Sequence, residues 1–107
     1  MTFKALGSLA LGAALAALAI VSLPAAAQGP IRIGASLSLT GTYAKLGKYQ
    51  HEGYQLCLKE TNARGGVLGR KLDMVVYDDQ STPATAVRLY EKLITEDKVD
   101  AVMGPYS

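Results

Sequence analysis

The chain has 107 residues, of which 50% are hydrophobic, and its eleven basic and nine acidic side chains give a formal net charge of +2 at pH 7. This length allows at most one small domain. The near balance of charge argues against nucleic acid or an acidic membrane surface as a partner, because those partners select for concentrated basic patches. A single cysteine, Cys57, leaves no internal disulfide to stabilise the fold.

Residues 1–27 have the pattern of a secretory signal peptide. A short basic start precedes an uncharged stretch, mainly Ala and Leu, over residues 5–23. A proline follows, and Ala25 and Ala27 occupy the two positions that signal peptidase reads. We therefore expect cleavage before Gln28 and a periplasmic location for the remainder.

An uncleaved membrane anchor is the alternative for this segment. Its 19 uncharged residues, at about 1.5 Å each, approach the roughly 30 Å thickness of the bilayer hydrocarbon. The proline, the A-x-A ending and the high Ala and Gly content favour a cleaved signal. No cysteine near the cleavage point could carry lipid, and no Arg-Arg pair marks the twin-arginine route.

Strand and helix patterns alternate in the rest of the chain. Alternating apolar residues predict a first strand over Ile31–Leu39, and helical spacing predicts a helix over Lys48–Ala63. A second strand is predicted over Lys71–Tyr77, a second helix from Pro83 to about residue 98, and a third strand over Asp100–Met103. The βαβαβ order predicts an α/β fold with a parallel sheet and helices on its faces.

Particular residues are expected to shape the packing of these elements. Gly34, Ser36 and Ser38 give one face of the first strand small side chains that a helix can approach closely. Gly65 is expected to end the first helix in a left-handed conformation. The face of that helix expected to lie on the sheet comprises Leu46, Tyr49, Gly53, Leu56 and Cys57. On this face, Gly53 is expected to allow close approach to the sheet and Cys57 is expected to be buried. The apolar stripe of the second helix comprises Ala86, Val87, Leu89, Tyr90, Leu93 and Ile94.

The loops after the first and third strands are the candidate ligand site. In open α/β sheets, ligands bind outside the carboxyl ends of the strands, near the point where strand order reverses. We predict ligand contacts from Tyr43 and Leu46 in the first loop and from Tyr106 and Ser107 in the last. Ordinary loop packing is the alternative for each of the four.

Other chemistries find little support in the sequence. No Gly-x-Gly-x-x-Gly or Gly-Lys-Ser/Thr spacing follows the first strand, so no nucleotide cofactor is predicted. The serines have no histidine partner in view, so nucleophilic catalysis is not predicted. His51 is interpreted as a solvated surface residue. It lies on a different helix face from Cys57, so the two cannot share a metal. Asp78 and Asp79 are interpreted as acceptors near a helix start, although a metal or phospho-acceptor pair is an alternative. We expect no enzyme activity.

Four segments of the chain resemble, in the right order, the start of the leucine/isoleucine/valine-type periplasmic binding proteins. These are Ile31–Gly34 with Leu39–Gly41, Thr61–Leu72, Asp78–Pro83 and Val99–Ser107. The resemblance implies a type I solute-binding protein of an ABC importer, with an amino acid or related small solute bound between two hinged lobes. It further implies that the closed, liganded form is what the membrane permease recognises.

The resemblance also bears on single residues. It implies that the loop at Tyr43–Leu46 contacts the ligand side chain, and that hydroxyl groups after Gly104 help hold a ligand carboxylate, with residue 108 the better-matched serine. Some family members carry a disulfide at the positions of Ser81 and Ser107. We therefore expect residues 28–107 to be a truncated N-terminal lobe that does not bind ligand alone. A ligand-sensing domain of a receptor or regulator is the alternative, and neighbouring genes would discriminate between the two.

Overall fold

The computed structural model describes residues 28–105, so the predicted signal peptide at residues 1–27, Tyr106 and Ser107 lie outside the described residues. The described elements are β1 (Ile31–Leu37), α1 (Ala44–Ala63), β2 (Leu72–Asp78), α2 (Pro83–Thr95) and β3 (Ala101–Met103). This order confirms the predicted βαβαβ arrangement. Over the same residues, no helix combines the length and the apolar character needed to cross a membrane.

The three strands form one parallel sheet in the order β2-β1-β3. In its register, Ile33 of the central strand lies opposite Met74 of β2 and Ala101 of β3. The side chains of Ile33 and Met74 point towards α1, where they share an apolar gap with Leu58. Residues of the opposite parity face α2, so the sheet lies between the two helices.

Small residues on β1 let α2 pack closely, as the sequence predicts. A Cβ added to Gly34 would lie 2.8 Å from Cδ2 of Leu93, so a larger side chain would displace that leucine. Leu93 is fully buried, as are Ala35 and Leu37 of β1. The core is therefore centred on β1, the one strand that has neighbours on both sides and helices on both faces.

The predicted inward face of α1 is wrong. The helix begins at Ala44 rather than Lys48, and the residues expected to pack on the sheet are exposed, as is the Cys57 thiol. Gly53, expected to allow close approach, has no atom within 4 Å of an added Cβ. The residues of α1 with reduced exposure are Ala44, Gly47, Gln50, His51, Tyr54, Leu58, Thr61 and Asn62. His51, interpreted from the sequence as a solvated surface residue, is thus only partly exposed.

Gly47 explains this rotation of α1. A Cβ at that position would collide with the carbonyl group of Ser38, so the helix backbone lies directly on the end of β1. Three and seven residues further along the helix, the polar ends of Gln50 and Tyr54 both donate to the Gly104 carbonyl, just after β3. A helix face that carries polar groups with specific partners is not visible as an apolar stripe.

The inward stripe of α2 is narrower than predicted. Pro83 is the first helical residue, as expected, and Thr82 occupies the cap position without a side-chain cap bond. Leu93 is buried, whereas Val87 and Ile94, which were expected to pack inward, are 60% and 58% exposed. The helix packs mainly on β1, and β3 is too short to cover its outer side.

The junction between α1 and β2 is fixed by one side chain. The Asn62 amide accepts a bond from the Leu72 N–H (2.7 Å) and donates to the Leu72 carbonyl (2.9 Å). Gly65 has φ of +101°, which confirms the expected left-handed end of the helix. The amide therefore ties the last turn of α1 to the first residue of β2.

Candidate functional site at the carboxyl edge of the sheet

The direction of winding reverses between β1 and β3. The chain passes from β1 through α1 to β2, and then through α2 back across β1 to β3. The carboxyl ends of β1 and β3 therefore flank a topological switch point, where open α/β sheets bind their ligands. The loops that leave these strands begin at Ser38 and Gly104.

Two carboxylates at the end of β2 hold the loop that follows β1. Asp78 accepts bonds from the backbone N–H groups of Leu39 (2.9 Å) and Thr40 (3.2 Å) and from the Thr40 hydroxyl (2.7 Å). Asp79 is only 3% exposed and accepts a bond from the Ser38 hydroxyl at 2.7 Å. The carboxylates lie near the start of α2, as expected, but they also bind the neighbouring loop, a role that the sequence analysis did not assign.

The same carboxylates shape the turn that leads into α2. Asp78 accepts the Gln80 N–H at 2.9 Å, and Asp79 accepts the Ser81 N–H at 2.8 Å. Gln80 and Ser81 have φ of 56° and 60°, a conformation that is costly for residues other than glycine. Aspartates that bond to the backbone two residues ahead are a known turn signature, so the Asp-Asp-Gln-Ser sequence after a strand could have indicated this turn.

The hydrogen bonds to Asp78 also alter its titration. Burial acts to raise the pKa of Asp78, but bonds from the Thr40 hydroxyl and from the backbone N–H groups of Gln80, Leu39 and Thr40 together outweigh it. The pKa therefore lies below its ordinary value, and the carboxylate is charged at neutral pH. A charged acceptor makes each of these bonds stronger than a neutral one would.

Ser81 joins the two loops directly. Its hydroxyl accepts the Tyr43 N–H at 3.0 Å and donates to the Thr40 carbonyl at 2.7 Å. Residues 38–43 and 79–82 therefore form one hydrogen-bonded unit, here called the loop pair. The Ser81 hydroxyl therefore links the two loops by hydrogen bonds, at a position where some family members are expected to carry a disulfide.

A cleft of about 150 Å³ opens between the loop pair, the start of α2 and the loop after β3. The side chains along it include Ser38, Tyr43, Asp79, Ser81, Pro83 and Pro105. Sites for small molecules usually enclose about 300–1,000 Å³, so this cleft by itself is smaller than a usual ligand site. The Asp79 side chain forms part of the cleft wall near the start of α2.

The four predicted ligand contacts are placed unequally. Tyr43 lines the cleft and is 45% exposed. Leu46 lies in the first turn of α1 and is 41% exposed. Tyr106 and Ser107 lie outside the described residues, although Pro105, directly before them, lines the cleft. All four contacts remain predictions.

Metal-ligating side chains do not gather in the described part of the chain. Between residues 28 and 105, no group of three or more His, Cys, Asp or Glu side chains could hold a metal ion. The ring Nε2 of His51 instead lies 3.2 Å from the Gln55 amide nitrogen on the same helix. Both oxygens of Asp78 and Oδ1 of Asp79 accept hydrogen bonds within or beside the loop pair.

A parallel sheet with helices on both faces and a cleft at its switch point is common to many open α/β proteins, so the fold alone does not define the class of protein. Comparison with known sequences makes the assignment specific, since the profile of the periplasmic binding protein family matches residues 30–107. The chain belongs to the periplasmic binding protein family. The family resemblance and the fold class predicted from the sequence are thereby confirmed.

Curated relatives include an amino acid binding protein of Pseudomonas aeruginosa, 32% identical over 93 residues that make up 87% of this chain and 25% of the relative. A leucine-, isoleucine-, valine-, threonine- and alanine-binding protein of the same organism is 35% identical over 78 residues, 73% of this chain and 21% of that protein. The chain thus spans about a quarter or less of the length of these relatives. Their names describe binding proteins, in agreement with the expectation that the family is not enzymatic.

Solved structures give the same fold. A branched-chain amino acid transporter substrate-binding protein of Streptococcus pneumoniae, in complex with isoleucine, is 37% identical with a TM-score of 0.69, over 71% of this chain and 22% of that one. A fatty acid ABC transporter substrate-binding protein of Thermomonospora curvata is 40% identical with a TM-score of 0.64, over 69% of this chain and 18% of that one. The fold therefore serves relatives with ligands of different chemistry.

Proposed function

We propose that this chain supplies the ligand-contacting edge of the first lobe of an extracytoplasmic solute-binding protein that serves an ABC importer. The observation that carries the proposal is the convergence of the loops after β1 and β3 on one cleft at the switch point. The named ligands of its relatives support an amino acid, most simply a branched-chain one, as the solute.

The opposing wall of the site lies in a second lobe in this proposal, and closure of the two lobes brings the complex to the permease. Export to the periplasm depends on the predicted signal peptide at residues 1–27. The small volume of the cleft supports a divided site, because a single wall cannot desolvate an amino acid. Micromolar affinity requires about −8 kcal/mol, more than a few loop contacts supply.

Two titrations test the proposal. In the first, calorimetric titration of the purified chain with leucine, isoleucine and valine is expected to give no micromolar response. In the second, residues 30–107 replace the matched segment of the leucine-, isoleucine-, valine-, threonine- and alanine-binding protein of Pseudomonas aeruginosa. That chimera is expected to bind at least one branched-chain amino acid.

The control is the unaltered Pseudomonas protein in the same buffer, together with a thermal melt of the chimera. A chimera that melts cooperatively yet binds none of the amino acids would contradict the amino-acid assignment. Palmitate offered to the same folded chimera would then decide whether the fatty acid relative is the better guide. Tight binding by the 107-residue chain alone would contradict the divided site.

A further inference from the structure

β3 is held only weakly by its own strand pairing and side chains. It has three residues, and it pairs only with residues 33–35 of β1. Val102 is 45% exposed and Met103 is 36% exposed, so core packing contributes little to the position of the strand. Other contacts must therefore fix the loop that leaves β3.

The beginning of β3 is tied to β1 through polar groups. The Asp100 N–H donates to the Arg32 carbonyl at 2.8 Å, and the Asp100 carboxylate accepts the Arg32 N–H at 2.8 Å. The Arg32 guanidinium donates to the carbonyl of Asp97 at 2.6 Å. These bonds set where the strand starts, but they lie at the opposite end from the cleft.

Two tyrosines from opposite faces of the sheet form hydrogen bonds with the backbone at the end of β3. Tyr90 of α2 donates its hydroxyl to the Met103 carbonyl at 2.6 Å. Tyr54 of α1 donates to the next carbonyl, that of Gly104, at 3.1 Å, and accepts a bond from the Gln50 amide at 2.8 Å. The same amide also donates to the Gly104 carbonyl at 3.1 Å.

Each of the two tyrosine hydroxyls donates its single proton to one backbone carbonyl. A phenol has one proton to donate, and the second carbonyl near Tyr90, that of Ser36, is more distant at 3.4 Å. Burial raises the pKa of Tyr90, so its phenol is protonated and able to donate at neutral pH. Consecutive carbonyls are thus fixed by side chains from both helices.

We infer that Tyr54 and Tyr90, here called the tyrosine clamp, are positioning residues that fix the point at which the loop after β3 leaves the sheet. The functional value of this positioning rests on the proposed function, because the loop leads into Tyr106 and Ser107, which are predicted to contact the ligand. The clamp acts on Met103 and Gly104, directly before the residues predicted to contact the ligand.

Local hydrogen–deuterium exchange of the purified 107-residue chain tests the clamp. Tyr54→Phe and Tyr90→Phe each remove one hydroxyl and leave the ring in place. Each is expected to raise exchange at the amides of residues 101–104 by about two- to tenfold, the range that the net worth of one hydrogen bond implies. Exchange at residues 31–37 and 72–78 is expected to stay within twofold. Tyr49→Phe on α1 is the matched control, because that side chain is 59% exposed.

Three results would overturn the clamp. One is unchanged exchange at residues 101–104 in both variants relative to Tyr49→Phe. Another is an equal rise across the whole sheet, which would indicate general destabilisation. The third is a parent chain whose residues 101–104 exchange as fast as an unstructured peptide. Because no ligand is present, failure here would leave the proposed solute binding untouched, and failed titrations would leave the clamp standing.

Discussion

At Gly47, the backbone of α1 lies directly against the carbonyl group of Ser38, where β1 passes into the loop pair. An added Cβ would collide with this main-chain group, which cannot move aside as a flexible side chain could. Six residues along the same helix, Gly53 has open space around it. The two glycines therefore have different reasons to be glycine.

Gly47→Ala is expected to destabilise the fold by about 1–3 kcal/mol, the usual range for overpacking, because the helix must shift away from β1. Gly53→Ala is the matched control and is expected to stabilise by up to about 1 kcal/mol through helix propensity alone. Urea denaturation followed by circular dichroism measures both changes. Equal effects of the two substitutions would show that α1 does not rest on Ser38.

Asp78 gives the loop pair a defined dependence on pH. Its pKa is depressed in the folded chain, so its contribution to stability is fully present above the unfolded pKa of about 4 and is lost as pH falls through the lower folded pKa. We expect the difference in thermal midpoint between the parent chain and Asp78→Asn to be constant from pH 7 to 5 and to shrink between pH 4 and 2.

Thermal melts across this pH range provide the measurement, with Glu91→Gln on the exposed side of α2 as the charge-matched control. The control is expected to shift the midpoint little at any pH. An Asp78→Asn difference that grows as the solution becomes more acidic would contradict the assigned direction of the shift.

At the scale of the elements, the βαβαβ order and the parallel sheet followed from sequence, whereas the rotation of α1 did not. Apolar alternation located β1, and Pro83 marked the start of α2, because both signals are local. The inward face of α1 depends instead on a glycine contact with β1 and on polar bonds from Gln50 and Tyr54 to the end of β3. Hydrophobic periodicity carries no information about such partners.

For the candidate site, the position of the first loop could be predicted from sequence, whereas the hydrogen bonds that hold it could not. Topology alone placed Tyr43 at the cleft, since the loops after β1 and β3 must meet at one edge. The roles of Asp79 and Ser81 depend on the neighbouring loop, which is 38–41 residues away in the chain. Such long-range hydrogen bonds are set by tertiary structure and leave no spacing to recognise.

Cys57 tests the rotation of α1 chemically. The residue is exposed, in contrast to the burial expected from the apolar pattern, and it lies at the edge of the apolar gap between α1 and the sheet. We expect Ellman's reagent to modify it in native buffer within about tenfold of the rate in denaturant, since accessibility rather than unfolding controls the reaction. Modification that requires denaturant would place this face of α1 against the sheet after all.

At the scale of the whole molecule, the described residues form a three-stranded parallel sheet with a small cleft at its switch point. In the proposed function this cleft is one wall of the site, and contacts with a solute come from side chains at its rim and from an opposing surface. Tyr43 and Leu46 are the rim side chains that the structure describes. The chain spans about a quarter or less of the length of its curated relatives.

The most direct test of this account is the effect of Leu46→Ala on isoleucine affinity in the chimera that carries residues 30–107. Leu56→Ala is the matched control, because both leucines are exposed on α1 and lie about 15 Å apart along the helix. Loss of a leucine contact with the ligand is expected to raise the Kd for isoleucine at least tenfold, while Leu56→Ala changes it less than twofold. Equal Kd values for the two variants, measured by calorimetric titration, would contradict a ligand site at the carboxyl edge of this sheet.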